Sequence, residues 1–162
     1  MSDPLTDVDL NHLRRCIELA SEALEAGDDP VGSVLVAGDG SVLAEDHNHE
    51  TSSGDPTAHP ELALAQWAAA HLPPERRGEA TVYTSGEHCA MCAAAHAWVG
   101  LGRIVYAHSA AQLAGWRGSL GLPAAPVSAL AVNDVAPGVV VVGPVSPLDE
   151  EMRQLHARAA AR

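Results

Sequence analysis

Cys89-Ala90-Met91-Cys92 opens an alanine-rich stretch that runs to Gly100. Sulfurs at i and i+3 share one face of a helix, and near its N-terminus the dipole favours thiolate over thiol. Such a pair by itself serves either a redox dithiol or half of a zinc site. His59-Pro60-Glu61 decides between them. Proline suits the first turn of a helix, so the His59 imidazole also stands at a helix start. One imidazole and two thiolates make a donor set for one zinc ion per chain. Three protein ligands leave a tetrahedral zinc one open position, where the metal can bring the pKa of a water to roughly 7. The two thiolates cancel the 2+ charge, so a closed site need not bury net charge.

Within a helix Glu61 would point roughly 200° away from His59. With His59 at the cap, Glu61 falls in the first turn. It is then better placed as a general acid and base beside a zinc-held water than as a fourth ligand. A lone glutamate there would merely suit the helix dipole; the company of His59, Cys89 and Cys92 shifts the balance to chemistry. Cys16, on the apolar face of an earlier helix, reads as a small core residue.

The elements that position these groups follow from periodicity. Leu10, Leu13, Ile17, Ala20 and Leu24 recur at helical spacing, with Asp7 or Asp9 as cap and Gly27 as stop. Val31–Val36 and Val42–Ala44 read as strands of a hairpin turning at Gly38-Asp39-Gly40. A polar loop over 46–57 leads to a helix over Pro60–His71, which Pro73-Pro74 ends. Thr81–Thr84, Cys89–Val99 and Arg103–Ala107 form a strand–helix–strand unit, predicting a right-handed crossover between parallel strands. Ser109–Leu113 reads as a short helix before a Gly/Pro-rich connection, Val139–Val142 as a fifth strand and Pro147–Arg162 as a closing helix. This order predicts an α/β fold, a three-layer α/β/α sandwich around a five-stranded mixed sheet. Residues 1–162 form a single domain in this reading, and the direction of the last strand stays open.

A chain of 162 residues, 47% of them hydrophobic, is long enough for one sizeable core. No apolar run approaches a bilayer span, the acidic N-terminus lacks a signal-peptide pattern, and three cysteines form no disulfide lattice. The expectation is a soluble cytoplasmic protein with no membrane partner. Residues 1–61 carry fourteen acids against Arg14 and Arg15, which accounts for the whole net charge of -12, and lysine is absent throughout. A nucleic-acid partner wants a basic stripe, so a polyanion is disfavoured and a small neutral ligand is not.

His59-Pro60-Glu61, twenty-six intervening residues and His88-Cys89-Ala90-Met91-Cys92 resemble the H-x-E and P-C-x-x-C signature of cytidine-deaminase-like zinc deaminases. Asp29-Pro30-Val31-Gly32, Asp55-Pro56-Thr57-Ala58-His59, Tyr83-Thr84-Ser85 and Gly102-Arg103-Ile104-Val105-Tyr106 extend the likeness toward the guanine deaminase and tRNA adenosine deaminase branches. The resemblance implies the cytidine deaminase-like fold, a homodimer, and hydrolytic loss of ammonia from an amino-substituted N-heterocycle. It implies zinc on His59, Cys89 and Cys92, with Glu61 carrying a proton from water to a ring nitrogen and then to the leaving amine. It also implies Asn48 and the Ala58 N–H as contacts to the base, and the Glu87 carbonyl as an acceptor for the amine. Trp98 and Trp116 fall where the family lines or closes its pocket. Two departures stand out. His88 replaces the family proline, adding a titratable group for substrate or a supporting contact. Ala110, in His108-Ser109-Ala110-Ala111-Gln112, stands where guanine deaminases carry an acid.

The leading function is therefore zinc-dependent deamination of a free nucleobase or related heterocycle, whether guanine, cytosine or a triazine. The rival inside the class is a tRNA-specific adenosine deaminase, which would want basic residues around the pocket. Outside the class, a CxxC redox protein would leave His59 and Glu61 without a task. A structural zinc module would need a fourth ligand that Cys16 is not placed to supply.

Overall fold

A computed structural model describes residues 4–162. Thr6, rather than an aspartate, caps the first helix, α1 (Asp7–Glu25): its hydroxyl accepts from the Asp9 N–H while the Asp9 carboxylate accepts from the Thr6 N–H, a reciprocal box that satisfies two orphan donors. The helix stops at Ala26, and Gly27 takes the left-handed φ of +89° that turns the chain. The expected antiparallel hairpin follows, as β1 (Gly32–Val36) and β2 (Val42–His47). β2 runs past the expected Ala44 because the register against β1 continues through Glu45, Asp46 and His47. The polar loop is correspondingly shorter and contains one helical turn, α2 (Glu50–Ser53).

α3 (Pro60–His71) has the expected bounds, and α4 (Pro74–Arg77) is one further turn after Pro73. β3 (Thr81–Gly86), α5 (Ala90–Val99) and β4 (Ile104–His108) build the strand–helix–strand unit with parallel strands. α6 (Ala110–Ser119) starts at a Ser109–Gln112 capping box and continues beyond the expected Leu113. α7 (Val132–Val135) lies in what reads as plain connection. β5 is only Val141–Val142, and α8 (Leu148–Ala160) closes the chain. The sheet order is β2-β1-β3-β4-β5, with β1 antiparallel to both its neighbours and β5 parallel to β4. The α/β fold with a five-stranded mixed sheet is the one the sequence predicts.

Successive side chains of the central strands face opposite layers. Val34, Val36, Tyr83 and Val105 pack on α1 and α8 through Leu13, Leu19, Leu148 and Met152. Leu35 and Val82 face the other layer and meet Leu64, Ala65 and Ala68 of α3. On that second face Ser33 and Thr84 are completely buried, placing hydroxyls where a plain core would put methyl groups. They mark the point over which the functional residues gather. Among the described residues, no helix is long and apolar enough to cross a membrane.

Candidate active site

Two helix N-termini meet beside the buried hydroxyls. His59 is the N-cap of α3, Cys89 is the N-cap of α5, and Cys92 lies in the first turn of α5. His59 Nδ1 stands 3.6 Å from Cys89 Sγ and 3.5 Å from Cys92 Sγ, and all three donor atoms lie within 4.8 Å of one another. A tetrahedral zinc with ordinary Zn–S and Zn–N bonds would hold its ligand atoms roughly 3.6 to 3.8 Å apart. The spacing fits.

The protons of the trio agree. The Cys89 thiol is pushed down to about 4, first by a hydrogen bond from Cys92 and then by His59. The Cys92 thiol is held up by its bond to Cys89, and His59 is pushed up to about 9 by Cys89. These side chains hold one another's protons, and a divalent cation would displace them and take their donor atoms. The donor set fits zinc in chemistry as well as distance.

Glu61 occupies the first turn of α3 but contributes no atom to that cluster. It is buried, and its Oε1 accepts two long hydrogen bonds, 3.3 Å from Ser33 Oγ and 3.4 Å from Thr84 Oγ1. Burial pushes its pKa up to about 7, against the pull of His59. Weakly restrained, the carboxyl can exchange a proton near neutrality; a cation beside it would lower that value.

Asn48 follows β2 and is buried, and Glu50 engages its amide from both sides. Asn48 Oδ1 accepts from the Glu50 N–H at 2.9 Å, and Nδ2 donates to the Glu50 carboxylate at 2.6 Å. The same carboxylate lies 3.6 Å from His59 Nε2. The Ala58 N–H donates to the Asp55 carbonyl at 3.1 Å in the turn before His59. A cleft of about 260 Å³ opens beside Ala58 and His59, lined also by Asp46, His49, Asp55 and Gln66 among others; Asn48, Glu61 and the two cysteines do not line it.

Residues 6–108 match the family model of the cytidine and deoxycytidylate deaminase zinc-binding region. The chain belongs to this family. Guanine deaminase of Bacillus subtilis is 38% identical over 113 residues, covering 66% of this chain and 72% of that protein. A tRNA-specific adenosine deaminase of Haemophilus influenzae is 33% identical over 104 residues, which span 64% of this chain and 60% of the relative. The solved guanine deaminase from Nitrosomonas europaea is similar at a TM-score of 0.71 over 99% of this chain and 88% of that one; at 18% identity the likeness is one of fold. The protein is thus a zinc-dependent deaminase, and zinc is its cofactor.

Three further residues expected at the substrate are His88, Trp98 and Trp116. His88 is 1% exposed, stands edge-on to His96, and neither of its ring nitrogens finds a partner among the described residues. Burial keeps it neutral. Trp98 is 89% exposed, roughly 240° around α5 from Cys92. Trp116 packs on His108 and His156 on the side of α1 and α8. Neither tryptophan lines the cleft. His96 donates to the Gly102 carbonyl at 2.7 Å and belongs to the core.

Other residues enter that the motifs do not announce. Ser33, and Thr84 within Tyr83-Thr84-Ser85, bring buried hydroxyls to Glu61. The Glu87 carboxylate accepts from the Ala110 N–H and the Val132 N–H, both at 2.9 Å. It therefore ties the first turns of α6 and α7 to the loop that presents Cys89. Gly86, one residue earlier, has no room for a side chain, since a Cβ would lie 2.6 Å from His108 Nε2.

Proposed function

We propose that this deaminase removes the exocyclic amine of a free nucleobase or related amino-substituted N-heterocycle, guanine, cytosine or a triazine among them. Water becomes the ring carbonyl oxygen and ammonia leaves. The observation that carries this reading is the buried, weakly restrained Glu61 carboxyl beside three convergent metal donors. His59, Cys89 and Cys92 would hold zinc, which when bound supplies an acidified water at its open position.

In this reading Glu61 takes a proton from that water and delivers it to a ring nitrogen. A second transfer through the same carboxyl gives the departing amine the hydrogen it needs to leave as ammonia. One C–N bond breaks, one C–O bond forms, and water provides both protons. Ser33 and Thr84 steady Oε1 without fixing its charge. Asn48 offers the base its remaining amide hydrogen and lone pair, and a ring heteroatom at the Ala58 N–H displaces the Asp55 carbonyl.

Similarity to tRNA-specific adenosine deaminases favours a second reading, adenosine within tRNA. Against it, Asp46 and Asp55 lie beside Ala58 and His59 and residues 1–61 hold fourteen acids against two arginines, a charge balance that repels phosphates. Ammonia release measured over a panel of free amino-heterocycles and a tRNA transcript decides the matter. Turnover of a free base is the expected result; turnover of the transcript alone overturns the reading.

The same proposal takes residues 1–162 as one deaminase domain, working as a homodimer in a reducing cytoplasm. Its support is three free cysteines and the exposed apolar side chains of Trp98, Leu120 and Val127, which a second copy would cover. Sedimentation as a monomer at micromolar concentration would remove the dimer.

A further inference from the structure

One carboxylate reaches both the metal ligand and the expected base contact. Glu50 is the first residue of α2, a turn anchored from behind by the Ser52 N–H donating 2.8 Å to the fully buried Asp28 carboxylate. Its Oε2 accepts the Asn48 Nδ2 hydrogen at 2.6 Å and lies 3.6 Å from His59 Nε2. Its backbone N–H donates to Asn48 Oδ1 at 2.9 Å. Glu50 therefore holds both ends of one side-chain amide and faces the far nitrogen of the imidazole.

Hydrogen bonds fix the Asn48 amide, and ligation would fix the tautomer of His59. A backbone N–H can only donate and an ionised carboxylate can only accept, so the Asn48 oxygen and nitrogen cannot exchange places. His59 turns Nδ1 toward the two sulfurs. As a ligand that nitrogen must offer its lone pair, which leaves the ring hydrogen on Nε2, the nitrogen 3.6 Å from Glu50 Oε2. A carboxylate behind a ligating histidine orients the ring and strengthens it as a donor.

We propose that Glu50 is a positioning residue that couples the metal ligand to the base contact. It orients His59 for zinc and holds the Asn48 amide in one sense for the heterocycle. The second half rests on Asn48 facing substrate, as in the function proposed above; the first half does not. Because Oε2 serves both groups, loss of Glu50 loosens zinc and substrate together, whereas loss of Asn48 loosens substrate alone.

The test is competition for zinc between the loaded full-length chain and a chromophoric chelator, paired with steady-state kinetics on the best free heterocycle. Glu50→Ala is expected to weaken zinc retention about 10- to 100-fold and to raise KM. Asn48→Ala is expected to raise KM with zinc retention unchanged. Glu50→Gln keeps an acceptor without the charge, so it holds KM near wild type and recovers part of the zinc retention. Circular dichroism shows whether each variant folds; should Glu50→Ala fail, the isosteric Glu50→Gln carries the test, and wild-type zinc retention there overturns the proposal. Unchanged zinc retention in folded Glu50→Ala overturns it as well. Weakened zinc with KM unchanged in both Glu50→Ala and Asn48→Ala overturns the coupling and removes Asn48 as a base contact, while the zinc measurement stands apart from any choice of substrate.

Discussion

Asp9 on the α1 face and Glu61 on the α3 face are both buried, at 4% and 5% exposure, yet their surroundings differ in everything that matters to a proton. Asp9 accepts from the Tyr83 hydroxyl at 2.6 Å, from the Arg103 guanidinium at 2.8 Å and from the Thr6 N–H at 2.9 Å. Burial alone would raise its pKa, but these donors outweigh burial and hold it at about 2. Glu61 meets two hydroxyls at 3.3 and 3.4 Å and the Cys92 thiol, and burial outweighs them and pushes it up to about 7. A buried carboxylate with a full set of donors serves the fold. One with weaker donors titrates near neutrality, and the two sides of one sheet hold the two kinds apart.

Three experiments press on this division. The largest effect is expected from Cys89→Ser, which removes a soft ligand from the α3 face; zinc content and ammonia release should fall together. A variant that keeps one zinc per chain would break the assignment of that face to the metal. On the other face, Asp9→Asn gives up charge-assisted bonds and is expected to cost about 2 kcal/mol in urea unfolding. Zinc content and kcat should not change, and a changed kcat would show that the faces are not independent.

The smallest effect is in the pH dependence of stability. The folded Asp9 pKa is depressed to about 2 from an ordinary 3.8. Its contribution is therefore complete above about pH 4 and is lost as the pH falls toward about 2. Stability curves of wild type and Asp9→Asn should converge over that window. Parallel curves would show that Asp9 carries no such linkage.

The three donors that could hold zinc were legible because each sits at a helix start that local residues announce: Pro60 after His59, and the i, i+3 cysteines before a run of alanines. Glu61 was legible through the same turn. Glu50 and Glu87 were not, because each acts on a group that only tertiary folding brings near: His59 Nε2 for the first, the N–H groups of Ala110 and Val132 for the second. The end of β2 hid behind Glu45, Asp46 and His47, polar residues that pair with β1 on an edge strand and need no apolar alternation. The second half of α6, beyond the expected Leu113, hid behind Gly115 and Gly118, which lower helix propensity. Trp98, six residues past Cys92, is turned outward by helix geometry, which the aromatic type alone does not reveal.

Zinc content and ammonia release, measured on one preparation of Glu61→Gln, separate proton transfer from metal binding most directly. The amide keeps the size of the side chain and its hydroxyl contacts but cannot take up a proton at neutral pH. The predicted result is one zinc per chain with turnover reduced about 100- to 10,000-fold. Turnover near that of the wild type, with zinc bound, would contradict the assignment, because the proton would then be moving without Glu61.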